Sequence, residues 1–418
     1  MRRIAVPQAS LEITHLSKAK KKIQRVADAL ECRQPDRVPI SDFFWSGFVK
    51  RCRKELGLGT FDPYRYWDLD YVVINPNMDP HLKGLEVLEN TPERKLLKTG
   101  FEAIIERRRD HPMPNYIRHY TDEWRHIESF QFDNPLDRRR YYDPLDDQIN
   151  CLSDELNLGI MPFVDRVSVY ADDFCVFGSV CEPHELLWRI CGMENTLFKM
   201  AEEPKRLAEF IHRIGDFLIG VVEGQIEAAG DKLAGIYIWG DIAYRNGMFF
   251  SPAYWRDHYR PVLERLVKAA TRHGKKVIYH GCGNASAVYG DLMGLGIHGY
   301  NPIEAKAGLD VVELKRRYGN AWCWIGNLDV RVLETNDPAQ VKQEVLRKLN
   351  AAKGGGFIPQ SDHSVSLGVS AATYDLVVKL VRKHGRYPLS LGKYDEDVSA
   401  PVRRGRAKKP AAASAARH

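Results

Sequence analysis

The sequence predicts an α/β protein built as a (β/α)8 barrel. Three observations predict it: eight short apolar runs, long amphipathic helical stripes between several of them, and polar residues just after the runs, where barrels of this kind carry their chemistry. The runs are Val38–Ser41, Tyr71–Ile74, Phe174–Phe177, Ala234–Trp239, Lys276–Tyr279, Ile297–Tyr300, Trp322–Ile325 and Gly356–Ile358. Each is followed by a polar or glycine-containing turn.

Residues 1–35 read as an N-terminal helical extension. Its helix, over 17–31, carries Ile23, Val26, Ala27 and Leu30 on one face and stops at Gln34-Pro35-Asp36. The barrel itself is expected over 36–386. Between its second and third runs lies a stretch too long for a plain crossover, so an insertion is expected at about 80–170. There Leu85–Leu88 and Lys95–Lys98 look like a hairpin, followed by the cationic Glu106-Arg107-Arg108-Arg109, and such an insertion would cap the barrel mouth. Later helices are expected over 205–229, with Pro204 where a first-turn proline is tolerated, and over 252–273. Residues 387–418 read as a basic, disordered tail.

Composition excludes several functions. With 44% apolar residues the 418-residue chain can bury a large core, yet no run approaches the roughly 20 apolar residues of a membrane span. The N-terminus is basic but lacks the apolar stretch of a signal peptide, so a cytoplasmic protein is expected. Eight cysteines without a Cys-x-x-Cys pair point to reduced thiols rather than a disulfide framework or zinc ribbon. The formal charge of +6 resides in the last 18 residues, which hold Arg403, Arg404, Arg406, Lys408, Lys409 and Arg417 and no acid. The body is near neutral, and neither a nucleic-acid nor a membrane partner is expected.

The strand ends offer Asp42, Asn75, Glu182, Asp241, His280 with Cys282, Glu304, Asn327 with Asp329, and Asp362 with His363. Carboxylates crowding a cleft repel one another unless they are protonated or balanced by a cation. A metal ion or a cationic substrate would resolve the conflict. The stretch His280-Gly281-Cys282-Gly283-Asn284 closes a strand and sets an imidazole and a thiol at i and i+2, on one side of the chain. Both are ordinary zinc ligands. Gly294-Leu295-Gly296-Ile297-His298-Gly299 spells a dinucleotide-binding pattern, but it follows a helix and enters a strand, the reverse of the required context. His184-Glu185 begins like a zincin helix and has Trp188 where the second histidine belongs.

Over roughly 18–385 the chain resembles the uroporphyrinogen decarboxylase superfamily, which also contains cobalamin-dependent methyltransferases. The resemblance is carried by Pro35-Asp36-Arg37-Val38-Pro39, by Gly240-Asp241-Ile242-Ala243 with Ser251-Pro252, by the His280–Asn284 stretch, by Gly326-Asn327-Leu328-Asp329, and by Gly355-Gly356-Phe357-Ile358-Pro359. It implies the (β/α)8 TIM-barrel fold. True decarboxylases of this group carry an arginine-rich stretch after the first strand that binds the substrate's acidic arms. Here that place reads Asp42-Phe43-Phe44-Trp45-Ser46-Gly47. The methyltransferase branch is similar at His280-x-Cys282, where the resemblance implies zinc, but its further cysteine from the last loop is absent. That loop reads Gln360-Ser361-Asp362-His363, making His363 the natural substitute, or else Asp362.

The resemblance thus implies a zinc-dependent methyltransferase taking a methyl group from a corrinoid, presented by a partner protein, to a small-molecule thiol. The expected zinc ligands are His280, Cys282 and His363. Asp241, Glu304 and Asp362 are the expected catalytic residues, and Asp42, Asn75, Asn327 and Asp329 the expected substrate-binding ones. The alternative is a metal-free decarboxylase acting on a tetrapyrrole or other carboxylated substrate.

Overall fold

A computed structural model describes residues 17–399 apart from 84, 109, 110, 112, 145, 146 and 149–160; the tail residues 400–418 thus lie outside the described residues. In chain order the strands are β1 (Tyr71–Ile74), β2 (Glu86–Asn90), β3 (Arg94–Lys98), β4 (Ala103–Arg108), β5 (Asn115–His119), β6 (Cys175–Cys181), β7 (Gly235–Trp239), β8 (Ala243–Tyr244), β9 (Gly247–Met248), β10 (Lys276–His280), β11 (Gly299–Asn301), β12 (Cys323–Leu328) and β13 (Phe357–Ser361). A parallel sheet runs β1-β6-β7-β10-β11-β12-β13. Each crossover between neighbours contains helix, as parallel pairing requires. Every residue of β6, β12 and β13 is buried, which is why these strands read as continuous runs rather than as alternating ones.

The sheet is open between β1 and β13, so the closed eight-stranded TIM barrel expected from the run count is not what forms. The run Val38–Ser41 is the one that yields no strand. It does lie in the gap: Asp70 N donates to Ile40 O at 2.8 Å, Ser41 Oγ to Tyr71 O at 2.6 Å, and Val365 N to Phe43 O at 2.7 Å. Two features prevent a regular ladder. Pro39 has no N–H to give, and the Ile40 N–H goes to the Asp70 carboxylate at 2.8 Å rather than to a neighbouring carbonyl.

Helices pack both sheet faces. Lys18–Leu30 starts at Ser17, whose hydroxyl caps the Lys20 N–H, and it buries Val26, Ala29 and Leu30. The helix Pro204–Ala229 has its proline at the first turn and buries Leu207, Phe210, Ile211, Ile214, Leu218, Val221 and Val222 at helical spacing. The expected 252–273 helix is divided, with a π turn at Trp255–Tyr259 between Pro252–Tyr254 and Arg260–Thr271. Between β1 and β6 the strands β2–β5 form an antiparallel sheet. The expected hairpin is β2 and β3, while Glu106, Arg107 and Arg108 of the cationic stretch after it end β4. Tyr116 of β5 ties this sheet to the helix Pro183–Cys191, accepting from Arg189 Nη1 at 2.9 Å and packing on Trp188. Residues 387–399 are anchored as well: Arg316 pairs with Glu396 at 2.8 Å, and Asn350 Nδ2 donates to Tyr394 O at 2.7 Å.

Candidate functional site

The site is assembled at the C-terminal ends of β7, β10 and β11. Register places Trp239, His280 and Asn301 side by side on these strands. Tyr237 lies two residues before Trp239 and therefore on the same face. His280 Nδ1 stands 2.7 Å from Asn301 Oδ1, and its ring packs against Trp239 with centroids 5.0 Å apart. Its other nitrogen, Nε2, is 3.4 Å from Cys282 Sγ.

The loop after β10 is held by two acids. Asp241 Oδ1 accepts from Cys282 N at 2.8 Å, and Glu304 Oε2 accepts from Gly283 N at 2.9 Å. Gly283 has φ +75°, and a Cβ there would come within 2.5 Å of the Tyr244 carbonyl oxygen, so only glycine fits. Among the described residues, two groups bring possible ligand atoms within 4.8 Å of one another: Asp241, His280 and Cys282, and Cys282, Glu304 and His363. Cys282 belongs to both. His280 and His363 fall in different groups, joined through the thiol.

Burial pushes the Cys282 thiol up, and the neighbouring Asp241 and Glu304 add to the effect. Burial likewise lowers both His280 and His363, and Lys306 lowers His363 further. Asp241 is raised by desolvation, with a contribution from Glu304, although 42% of its side chain stays open to solvent. The pocket by itself therefore favours a thiol and neutral imidazoles beside acids. That donor set fits a divalent cation: a positive charge would favour the Cys282 thiolate and the Asp241 carboxylate, and would keep the imidazoles neutral. Geometry agrees, because two ligands at about 2.0 and 2.3 Å from a tetrahedral ion stand roughly 3.5 Å apart. His280 has the outer partner that metal-binding histidines usually have, here Asn301.

Other strand-end residues are placed differently. Asp362 is buried, accepts from Val330 N at 2.9 Å and Ala305 N at 3.0 Å, and is pushed up to about 6 by burial. Asp42 accepts from Ser361 N at 3.1 Å, Phe43 N at 3.0 Å and Tyr374 Oη at 3.2 Å, with burial raising it to about 7. Asn327 gives Nδ2 to the Ile303 and Leu309 carbonyls and takes Val311 N and Lys348 Nζ on Oδ1. Asp329 caps the helix Val330–Glu334, and although burial acts against it, Arg331 holds its carboxyl below the usual range. Asn75 Oδ1 accepts from Ser179 Oγ at 2.6 Å and from Trp239 Nε1 at 3.3 Å, so it touches the site through Trp239. Lys306 Nζ pairs with Glu304 at 3.2 Å.

Asn301 and Tyr237 escaped the reading of strand ends. Asn301 directly follows the run Ile297–Tyr300, and its position alone was a usable signal. Tyr237 lies inside a run and becomes visible only through the register of β7 with β10.

Among solved structures, a methyltransferase from Methanosarcina mazei shares the fold with a TM-score of 0.57 at 15% identity, over 86% of this chain and 98% of that chain. A protein provisionally named a vitamin-B12 independent methionine synthase, from Listeria monocytogenes, aligns over 84% of this chain and 96% of its own at 12% identity, with a TM-score of 0.36. No curated protein matches the chain. The family model described as uroporphyrinogen decarboxylase (URO-D) matches residues 157–384, a span that includes β6 to β13 and the whole His280–Asn284 loop. With more than half its length accounted for in this way, the chain belongs to the uroporphyrinogen decarboxylase (URO-D) family.

Proposed function

We propose that the chain is a zinc-dependent methyltransferase that moves a methyl group from a corrinoid or similar donor to a thiol acceptor. The observation that carries this reading is the 3.4 Å approach of His280 Nε2 to Cys282 Sγ, with further ligand atoms of Asp241, Glu304 and His363 around the same sulfur. Sharing the fold with a methyltransferase supports it. Cys282 would hold the ion together with His280 and Asp241 or with Glu304 and His363, the two sets whose ligand atoms lie within 4.8 Å of one another; the expected set of His280, Cys282 and His363 spans both. Bound there, zinc would lower the pKa of an acceptor thiol from about 8.5, so that its thiolate is present at neutral pH.

The chain's own residues do the rest. Asp241 and Glu304 hold the Cys282–Gly283 backbone while presenting carboxylates that orient the acceptor or take its proton. Phe43, Tyr237 and Trp239 pack together into an apolar wall beside His280, which limits water around the sulfur. In the transfer the acceptor sulfur supplies the electron pair of the new S–C bond, and the donor keeps the pair of the bond that breaks. A polycarboxylate tetrapyrrole suits this cleft less well. Lys306 is engaged by Glu304 and Arg331 by Asp329, and an unpaired desolvated charge costs several kcal/mol.

Elemental analysis of tag-free protein tests the reading. Wild type should hold near one zinc per chain, and His280→Ala and Cys282→Ser, purified in parallel, should hold almost none. A wild type that neither contains nor takes up zinc would remove the proposal and leave a metal-free decarboxylase as the function to assay.

A further inference from the structure

We propose that Asn301 is a positioning residue: a buried hydrogen-bond chain running Tyr71–Gln360–Asn301–His280 fixes the His280 tautomer so that Nε2, facing Cys282, carries the free lone pair. Its consequence for metal binding rests on the zinc reading, but the tautomer itself does not.

The chain joins the two edge strands of the sheet, β1 and β13, and continues through β11 to β10. Tyr71 Oη donates to Gln360 Oε1 at 2.8 Å, and Asn301 Nδ2 donates to the same oxygen at 3.1 Å. Asn301 Nδ2 also faces the Ile325 carbonyl at 3.4 Å. A backbone carbonyl can only accept, so the amide of Asn301 cannot turn over without setting two oxygens against each other. Its Oδ1 therefore points to β7 and β10, where it takes the Tyr237 hydroxyl proton and lies 2.7 Å from His280 Nδ1. Because Oδ1 cannot donate, the hydrogen of that short contact belongs to His280 Nδ1. A neutral imidazole has one N–H, which leaves Nε2 bare.

Placing the proton on Nε2 instead would put two lone pairs 2.7 Å apart on the side of the ring that faces the buried Asn301. Tyr71, Tyr237, Asn301 and Gln360 are all buried, so no solvent relieves that repulsion. In the metal-free protein the bare Nε2 is left to accept from the Cys282 thiol, in agreement with their 3.4 Å separation. With a metal present the same lone pair is the ligand, and it is already aimed at the side where the sulfur lies.

The test is a two-bond nitrogen–proton correlation spectrum of metal-free protein labelled with 15N at histidine, with His280→Gln used to assign the signal. Wild type should show His280 protonated at Nδ1, and Asn301→Leu should lose that preference. Tyr237→Phe, which leaves the Asn301 acceptor in place, should keep it. A wild-type ring protonated at Nε2, or an Nδ1–H form that persists in Asn301→Leu, overturns the proposal. Should Asn301→Leu fail to fold, the wild-type and Tyr237→Phe spectra still decide it. In a separate arm, competition of zinc chloride against a chromophoric chelator should show zinc affinity lowered about 10- to 100-fold in Asn301→Leu. Failure of wild type to bind zinc would sink the metal reading alone, because the tautomer is read without metal.

Discussion

A single polar residue at the end of a strand can face the cleft or turn back to the chain, and Asn327 shows the second arrangement. Both of its amide atoms are committed: Nδ2 to Ile303 and Leu309, at 2.7 and 2.9 Å, and Oδ1 to Val311 N at 2.8 Å and Lys348 Nζ at 2.5 Å. Its backbone sits at φ +71°, which asparagine tolerates better than most residues. Asn327→Ala should therefore destabilise the protein by on the order of 3 kcal/mol, through buried groups left without partners and the strained φ. Urea unfolding would measure this, with zinc content unchanged at low denaturant. Unaltered stability together with an altered KM for the acceptor would instead place Asn327 in the substrate site. Sequence put Asp42, Asn327, Asp329 and Asp362 at strand ends, and could not show that each has backbone groups as partners. For Asp42, Asn327 and Asp362 that depends on where a distant segment returns, whereas Asp329 accepts from Arg331 N two residues on, as a helix cap. The His280–Cys282 pair was legible because i and i+2 on a strand fix a common side without any long-range information.

At the scale of elements, the segment Val38–Phe44 fills the opening of the sheet through separate backbone bonds and the Asp70 and Ser41 side chains rather than through a continuous ladder. Asp70, fully buried, accepts from Ile40 N at 2.8 Å, Arg37 Nη1 at 2.8 Å and Arg25 Nη1 at 2.5 Å. Burial alone would raise the Asp70 carboxyl, but Arg37 and Arg25 together hold it below the usual range. One carboxylate thus joins the first helix, the irregular segment and the start of β1. Replacing it by asparagine leaves two arginines facing a neutral group, with a cost of about 3–5 kcal/mol. Asp70→Asn should accordingly lower the urea midpoint and expose residues 31–41 to limited proteolysis before the rest of the chain. Equal stability and an unchanged cleavage pattern would show that packing of Val38 and Ile40 is sufficient. The apolar run Val38–Ser41 marked the location of this piece in the sequence. Its failure to become a strand was half-legible in Pro39, while the competing Asp70 acceptor lies 30 residues away and could not be assigned to it.

Across the whole molecule, buried ionisable groups set how stability responds to pH, and they act in separate windows. Asp70 and Asp310 are held below their usual values and so stabilise the fold above about pH 4, losing that effect only on further acidification. His184, lowered to about 3, and His298, lowered to about 4, both by burial, give a stability that rises up to the ordinary histidine value near 6.5 and is flat beyond it. Glu182 works in the opposite direction. Desolvation raises it to about 8, and its Oε1 is buried without a hydrogen-bond partner while Oε2 caps His184 N at 2.7 Å. The folded chain therefore holds a proton that the unfolded chain releases near pH 4.3, so this contribution is complete below that value and is lost as pH rises through about 8. Asp42, raised to about 7, follows the same course at slightly lower pH. Between about pH 7 and pH 8 the histidines and the salt-bridged acids contribute little slope, whereas Glu182 is losing its contribution. Glu182→Gln keeps the cap acceptor and has no proton to lose. Its stability relative to wild type should thus improve by about 1 kcal/mol between pH 7 and pH 8, at up to roughly 1.4 kcal/mol per unit for one proton. Urea midpoints of both proteins at the two pH values measure the difference. Parallel responses would mean that Glu182 is already ionised in the folded state at pH 7, and that Oε1 is solvated within the fold rather than protonated.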